Sequence, residues 1–342
     1  MRPMRIPLLE VAPLAFTLVL ILTPLIRRLA RATGYVDHPG ARKAHAESTP
    51  LLGGLAIAVA LVAGPVLALA ITSGPIEPPH IGIVVGALIA LTLGMVDDRL
   101  PLGPRDKLVG QAAAAVCLVW WGTHVVPIHQ NIFLGLLTLL GVIALLNAIN
   151  FLDNMDGLLS TMIPISAGGF IALAMIHGAP VHLALAWGLI GACSGFLVFN
   201  APPARIFLGD AGSHLLGFAL AALSLQALES SFTWPHLTSI VAILAYPIFD
   251  VVFVVADRIH GGRPIYLGST DHTTHRLGRL FGRWGTLAFV AMAAGVNAGV
   301  GVWIWGRSDP PSIFGAICGL GLAYAVLGTL LRPISPTTTS VT

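Results

Sequence analysis

Runs of about 20 predominantly apolar residues, the length a helix needs to cross the hydrocarbon core of a bilayer, recur from one end of this chain to the other. Eleven can be drawn, at about 8–26, 51–72, 80–96, 108–126, 132–149, 158–176, 182–199, 211–228, 237–256, 285–305 and 312–331. The composition agrees: 56% of the residues are hydrophobic and 10% charged, where soluble domains carry roughly 25% charged residues. The expected fold is therefore all-α, a polytopic membrane protein of about eleven transmembrane helices forming a single domain over 1–342. The first run is kept as a span, because no small-residue cleavage site follows it. Cys117, Cys193 and Cys318 lie inside apolar runs without CxxC spacing, so they are expected to pack and not to pair.

The cations are unevenly divided between the two sets of connections. With the N-terminus outside, the inner connections and the C-terminal tail at 332–342 hold fifteen of the 18 Lys and Arg, from Arg27 through Lys107 to Arg332. The outer segments hold Arg2, Arg5 and Arg307. Basic residues mark the cytoplasmic side, so the expected topology is N-out and C-in. This topological bias accounts for the net charge of +3, and no basic tract interleaved with aromatics points to nucleic acid.

Acidic residues have little influence on orientation, so their placement carries separate information. Ten of eleven aspartates lie in or beside the inner loops, leaving Asp309 outside, whereas Glu10, Glu77 and Glu229 fall on the outer side. A face rich in both aspartate and cations suits a divalent metal and a phosphorylated substrate, and a passive channel has no need of one.

Four inner loops concentrate the chemistry. Asp97 and Asp98 end span 3, and Lys107 opens span 4; two adjacent carboxylates at a membrane edge call for a cation or a shared proton. After span 5, Asn147, Asn150, Asp153 and Asp156 recur every third residue, a series that drifts about 60° per step on a straight helix. The helix end is therefore expected to line a polar cavity and to loosen near Gly157. Phe207-Leu-Gly209-Asp210-Ala-Gly212-Ser213-His214 leads into span 8, with small residues around one carboxylate at a helix start. The last loop carries Asp271-His272-Thr-Thr-His275-Arg276, suited to a diphosphate; no Cys or second spaced His pair completes a zinc set. Span 9 adds Tyr246-Pro247 and the intramembrane Asp250, which reads either as functional or as the partner of an arginine.

In these residues the chain resembles the polyprenyl-phosphate N-acetylhexosamine-1-phosphate transferases. That family includes the initiating enzymes of enterobacterial common antigen and teichoic acid and the phospho-MurNAc-pentapeptide translocase. The markers run in family order: Asp37-x-Pro39-x-x-Arg42-Lys43-x-His45, Pro50-x-x-Gly53-Gly54, Asp97-Asp98, Asn147-x-x-Asn150-x-x-Asp153-x-x-Asp156-Gly157, Phe207-x-Gly209-Asp210-x-Gly212-Ser213 and His272-x-x-His275-Arg276-Leu277.

The resemblance implies transfer of a sugar 1-phosphate from a UDP-N-acetylhexosamine to a polyprenyl phosphate. UMP is released at a Mg2+ site, Mn2+ being an alternative ion, on the cytoplasmic face of the inner membrane. It implies catalytic roles for Asp97, Asp98, Asp153 and Asp210, with Asp210 as metal ligand beside Asp97 and Asp98. It implies that Lys43, His45, Asn147, Asn150 and Asp156 bind substrate, that Phe207 stacks on uracil, and that Lys107, His272, His275 and Arg276 hold phosphates. It also suggests a homodimer and a place at the start of lipid-linked envelope glycan synthesis. Two positions depart from the family pattern: Asn154 stands where relatives carry Gly, and Thr274 where they carry His. The second departure lies nearer the common-antigen and teichoic-acid branch and favours UDP-GlcNAc as donor.

The chemistry asks for the same residue types. Two phosphate anions can meet only if charge on the transferring group and on departing UMP is neutralised, and the acceptor's lipid tail explains why the enzyme is built from spans. A transporter would carry its polar motifs near the midplane and show repeats, and neither is visible. A CDP-alcohol phosphotransferase would carry a DGxxAR…GxxxD pattern, which is absent.

Overall fold

The computed structural model describes residues 10–37, 48–72, 78–123, 125, 130–229, 231–264 and 271–334, the side chains of 64–72, 78 and 79 excepted. Lys43 and His45, and most of the 332–342 tail, lie outside the described residues.

Each of the eleven expected segments carries a helix. In chain order these are α1 (Val11–Thr33), α2 (Gly53–Thr72), α3 (Pro78–Arg99), α4 (Pro104–Trp121), α5 (Ile132–Leu152), α6 (Leu158–His177), α7 (Leu183–Asn200), α8 (Gly209–Ala227), α9 (Trp234–Ile243), α10 (Ala245–His260), α11 (Thr273–Trp305) and α12 (Pro310–Leu331). Between α1 and α2, β1 (Val36–Asp37) and β2 (Thr49–Pro50) form one short antiparallel pair. Among the described residues, seven helices are long and apolar enough to cross a membrane, or eight if the bent pair α9–α10 is one span. Of the rest, α4 opens with Arg105, Asp106 and Lys107, and α8 is enclosed by the other helices.

The ninth expected span is broken. α9 and α10 meet at 75° around Leu244. Pro247 then falls in the first turn of α10, where a missing N–H costs no hydrogen bond because that donor has no partner within the helix. α11 is also interrupted: Gly282 takes a left-handed φ of 67°, so the segment from Thr273 to Phe281 leaves the axis of the long span behind it. Cys117 and Cys193 are buried as expected; Cys318 instead lies exposed on α12.

At the centre is α8. Every one of its residues is buried except Asp210. Lipid tails are as apolar as Leu, so helices in a membrane associate through close packing, which small residues permit. A Cβ added at Gly54 of α2 would lie 2.3 Å from the backbone nitrogen of Gly212, and one at Gly94 of α3 would lie 2.2 Å from the carbonyl oxygen of Asp210. With α2, α3 and α5 packed around it, α8 presents one carboxylate at its N-terminal end, among the ends of α3, α4 and α5.

Candidate active site

Gly209 starts α8 with a φ of 74°, a conformation that favours glycine; a Cβ there would also meet Asp98 Oδ2 at 2.6 Å. The chain reaches this turn along β2: the N–H of Phe207 donates to the Pro50 carbonyl at 2.8 Å, and the N–H of Gly54 donates to Leu208 at 2.9 Å. Half-buried Phe207 is thereby fixed three residues ahead of Asp210.

Three elements converge on Asp210 of α8. The N–H groups of Asp210 and Ala211 donate to Asp98 Oδ1 and Oδ2 at 2.8 and 3.2 Å, so Asp98, from the end of α3, caps α8 as an in-chain Asp would. Asn150 of α5 donates from Nδ2 to Asp210 Oδ1 at 3.0 Å and to Ser213 Oγ at 2.8 Å. Lys107 of α4 donates from Nζ to Asp210 Oδ2 at 3.1 Å and is also ion-paired with Asp97 Oδ2. Asp97 Oδ1 accepts the N–H of Leu102 at 2.7 Å, closing the turn between α3 and α4. The Lys107 ammonium thus bridges two carboxylates, one of them, Asp210, 34% exposed.

Behind Asp210 lies a buried amide network. Asn147 and Gln111 exchange two hydrogen bonds, at 2.8 and 3.1 Å. His214 Nδ1 lies 2.8 Å from the carbonyl of Asp210; a carbonyl can only accept, so Nδ1 carries the proton and Nε2 accepts from Gln111 at 3.1 Å. Asn147 therefore braces the site one layer back. Gln111 did not stand out in the sequence, although it lies one helical turn beyond Lys107 on the same face of an apolar helix.

The expected loosening near Gly157 is present. Gly157 has a φ of 76°, and its N–H donates to buried Asn200 Oδ1 at 3.0 Å. Asn200 also donates to the carbonyl of Ile206, tying this loop to the segment that carries Phe207; the sequence reading missed it. Asp156 Oδ2 accepts the N–H of Ala204 at 3.1 Å and faces Arg283 Nη1 at 3.5 Å. Asp153 has no such anchor among the described residues. Burial, and then the charges of Asp210, Asp98 and Asp156, push its carboxyl well above the usual carboxylate range.

On α10, Asp250 is wholly buried and accepts both the N–H and the hydroxyl of Thr273, at 2.8 and 2.6 Å. It also accepts from His272 Nδ1 at 2.7 Å, so it caps α11 and orients the His272 ring; its partner is this histidine and not an arginine. His275 stands edge-on to His272 with ring centroids 6.3 Å apart.

Arg276 departs from the expectation that it holds a phosphate. It is 1% exposed, and four of its five N–H bonds are directed into the fold. Nε donates to the Asp271 carbonyl, Nη1 to the carbonyls of Leu331 and Arg332, and Nη2 to Asp257 at 2.6 Å. It fastens the start of α11 to the end of α12. A side chain committed in this way lacks the exposed fork that a diphosphate requires.

No group of three or more His, Cys, Asp or Glu side chains stands preassembled for a metal among the described residues. The carboxylates gathered here are nevertheless of the chemical kind that Mg2+ takes. Asp210, Asp97 and Asp153 offer hard carboxylate oxygens, Asp153 sits in an excess of negative charge, and an ammonium already bridges the other two.

A polytopic helical scaffold presenting this face defines a class, and sequence comparison gives it a name: the chain belongs to glycosyl transferase family 4, whose profile matches residues 80–228. Among its relatives is the probable undecaprenyl-phosphate N-acetylglucosaminyl 1-phosphate transferase of Bacillus subtilis, 37% identical over 76% of this chain and 74% of that one. The decaprenyl-phosphate N-acetylglucosaminephosphotransferase of Mycobacterium tuberculosis is 31% identical over 80% and 76% of the two chains. The phospho-N-acetylmuramoyl-pentapeptide-transferase of Streptococcus pneumoniae is 29% identical over 75% and 82%.

Proposed function

We propose that this protein transfers N-acetylglucosamine 1-phosphate from UDP-GlcNAc to a polyprenyl phosphate, releasing UMP, at a Mg2+-dependent site on the cytoplasmic face of the inner membrane. The observation that carries this reading is the setting of Asp210. It is the one residue of the central helix that is not buried, and it is held by Asp98, Asn150 and Lys107 within a ring of carboxylates.

A groove supports the lipid acceptor. About 1140 Å³ of space runs between α5, α8, α9 and α10, lined by Leu137, Leu145, Ala148, Leu225, Val241 and Ile248 among others. Leu244, at the break in the ninth span, lines it, and Ala148 carries its wall along α5 to the turn that bears Asn147 and Asn150. An isoprenoid chain lying there would bring its phosphate to the polar end of α5.

The reaction forms a bond from an oxygen of the acceptor phosphate to the β-phosphorus of the donor and breaks the bridging oxygen's bond to that phosphorus, so UMP leaves with the bridging oxygen. A phosphate monoester has its second pKa near 6 and needs no strong base to become a nucleophile. Lys107 can turn its N–H donors from the carboxylates to phosphate oxygens, and we assign His272, oriented by Asp250, to the donor's diphosphate as well. Asp98 and Asn150 hold the Asp210 backbone and carboxylate still. Asp156 and Asn200 hold the segment that carries Phe207, which we assign to the uracil ring. Bound Mg2+, held by Asp210 with Asp97 and Asp153, would neutralise phosphate charge.

Purified protein given polyprenyl phosphate and a panel of UDP-sugars, including UDP-MurNAc-pentapeptide, should release UMP fastest with UDP-GlcNAc. It should fall silent in EDTA and recover with Mg2+. UMP release from UDP-MurNAc-pentapeptide alone, or none from any donor, overturns the reading.

The cytoplasmic orientation rests on the cation asymmetry. In a background lacking the three cysteines, Ser231→Cys should react with an impermeant thiol reagent in intact cells and Ser269→Cys should not. The reverse pattern inverts the topology.

A further inference from the structure

The two banks of the site belong to helices that do not pack along their lengths. α11 lies against α6, whereas the acidic bank is carried by the end of α5 and the loop Asp153–Gly157. Arg283 and Thr274 of α11 each make a side-chain bond to that loop. Arg283 to Asp156 spans 3.5 Å with the arginine 45% exposed, and ion pairs of that kind contribute little. The other runs from Thr274 Oγ1 to Asn154 Oδ1 at 2.6 Å, and Thr274 is wholly buried.

Both partners are held from behind. Asn154 donates from Nδ2 to the carbonyl of Phe151 at 2.9 Å, one of the last carbonyls of α5, which have no partner within the helix. This fixes which amide atom is oxygen, and that oxygen is the one Thr274 meets. Thr274 stands in the first turn of α11, where no helical carbonyl lies four residues back for its hydroxyl to use. Its neighbours Thr273 and His272 are pinned to Asp250. A continuous line therefore runs from Asp250 through the start of α11 and Asn154 to Phe151 at the end of α5, one position from Asn150 and two from Asp153. Met155 adds apolar contact on the same side, its Cε lying 3.3 Å from where a Cβ on Gly278 would be.

We infer that Asn154 and Thr274 form a latch that sets the spacing between the His272/His275 bank and the Asp153/Asp156 bank, and hence the fit of the UDP-sugar between them. They are positioning residues, and the latch joins the two positions at which this chain departs from the family pattern. The inference rests on the proposed function, because it takes the two banks to flank the donor.

The test is a double-substitution cycle on the full-length protein, with donor and acceptor varied in turn. Thr274→Val removes the hydroxyl at nearly constant volume and should lower kcat/KM for UDP-GlcNAc about tenfold while the acceptor's KM stays within about twofold. Asn154→Ala should do the same, and the double variant should be no worse than either single one. Thr274→Ser, which keeps the hydroxyl, should recover most of the loss. A merely structural bond would lower the active fraction, reducing kcat for both substrates with both KM values unchanged. That result, a silent Thr274→Val, or additive losses would overturn the latch. UMP release by the wild type from no UDP-sugar would instead overturn the proposed function, and the latch with it.

Discussion

Asp210→Asn is expected to reduce UMP release by at least about a thousandfold at every Mg2+ concentration while leaving the protein folded. An amide keeps an acceptor oxygen for Asn150 and the same backbone N–H for Asp98, so α8 should start where it does now. What disappears is the negative charge opposite Lys107, the charge that would hold a hard cation. Neutralising the transferring phosphate is worth several kcal/mol in enzymes of this chemistry, which sets the scale of the loss. Thermal unfolding near the wild-type midpoint would establish that the variant is folded. Release above about a tenth of the wild-type rate would sink the assignment of Asp210.

Asp98→Asn is expected to cost about a hundredfold in kcat, through geometry and not through proton transfer. Both oxygens of Asp98 accept backbone N–H groups, from Asp210 and Ala211. Asparagine would turn an N–H2 toward one of those donors. Caps of this type contribute about 1 kcal/mol to stability, and a displacement of about 1 Å at a reacting centre can cost about a hundredfold in rate. Because the residue acts on the backbone of Asp210, the pH profile of the variant should keep its shape. Loss of a general base would instead remove the acid limb. Asp97→Asn should behave differently, since Asp97 shares Lys107 with Asp210, and its effect should appear as altered Mg2+ dependence. Rates measured against pH and Mg2+ separate the cases, and an Asp98→Asn profile without its acid limb would show that Asp98 is the base.

Much of this was legible in the sequence because it is local. Apolar length is a property of short segments, and helices lie at the expected segments. The regular series from Asn147 to Asp156 and the glycines around Asp210 marked loops that the fold brings together, since backbone freedom and carboxylates at a helix start declare themselves within a dozen residues. The division of labour inside the face was not local. Asp97 and Asp98 are adjacent in sequence, yet one meets an ammonium and the other caps a helix 112 residues away. Arg276 looks like a phosphate ligand from its neighbours, but the carbonyls of Leu331 and Arg332 have taken its guanidinium. Gln111 and Asn200 carried no motif at all, because a bracing amide is recognised only by the groups it joins.

The sequence by itself therefore determined the kind of solvent, the helices and the residues that gather at one end of them. Only the tertiary structure decided which of those residues remains available to a substrate. A side chain's hydrogen-bonding capacity is finite, and whether the fold consumes it, as in Asp98 and Arg276, or leaves it half exposed, as in Asp210, depends on partners that come together only when distant helices pack.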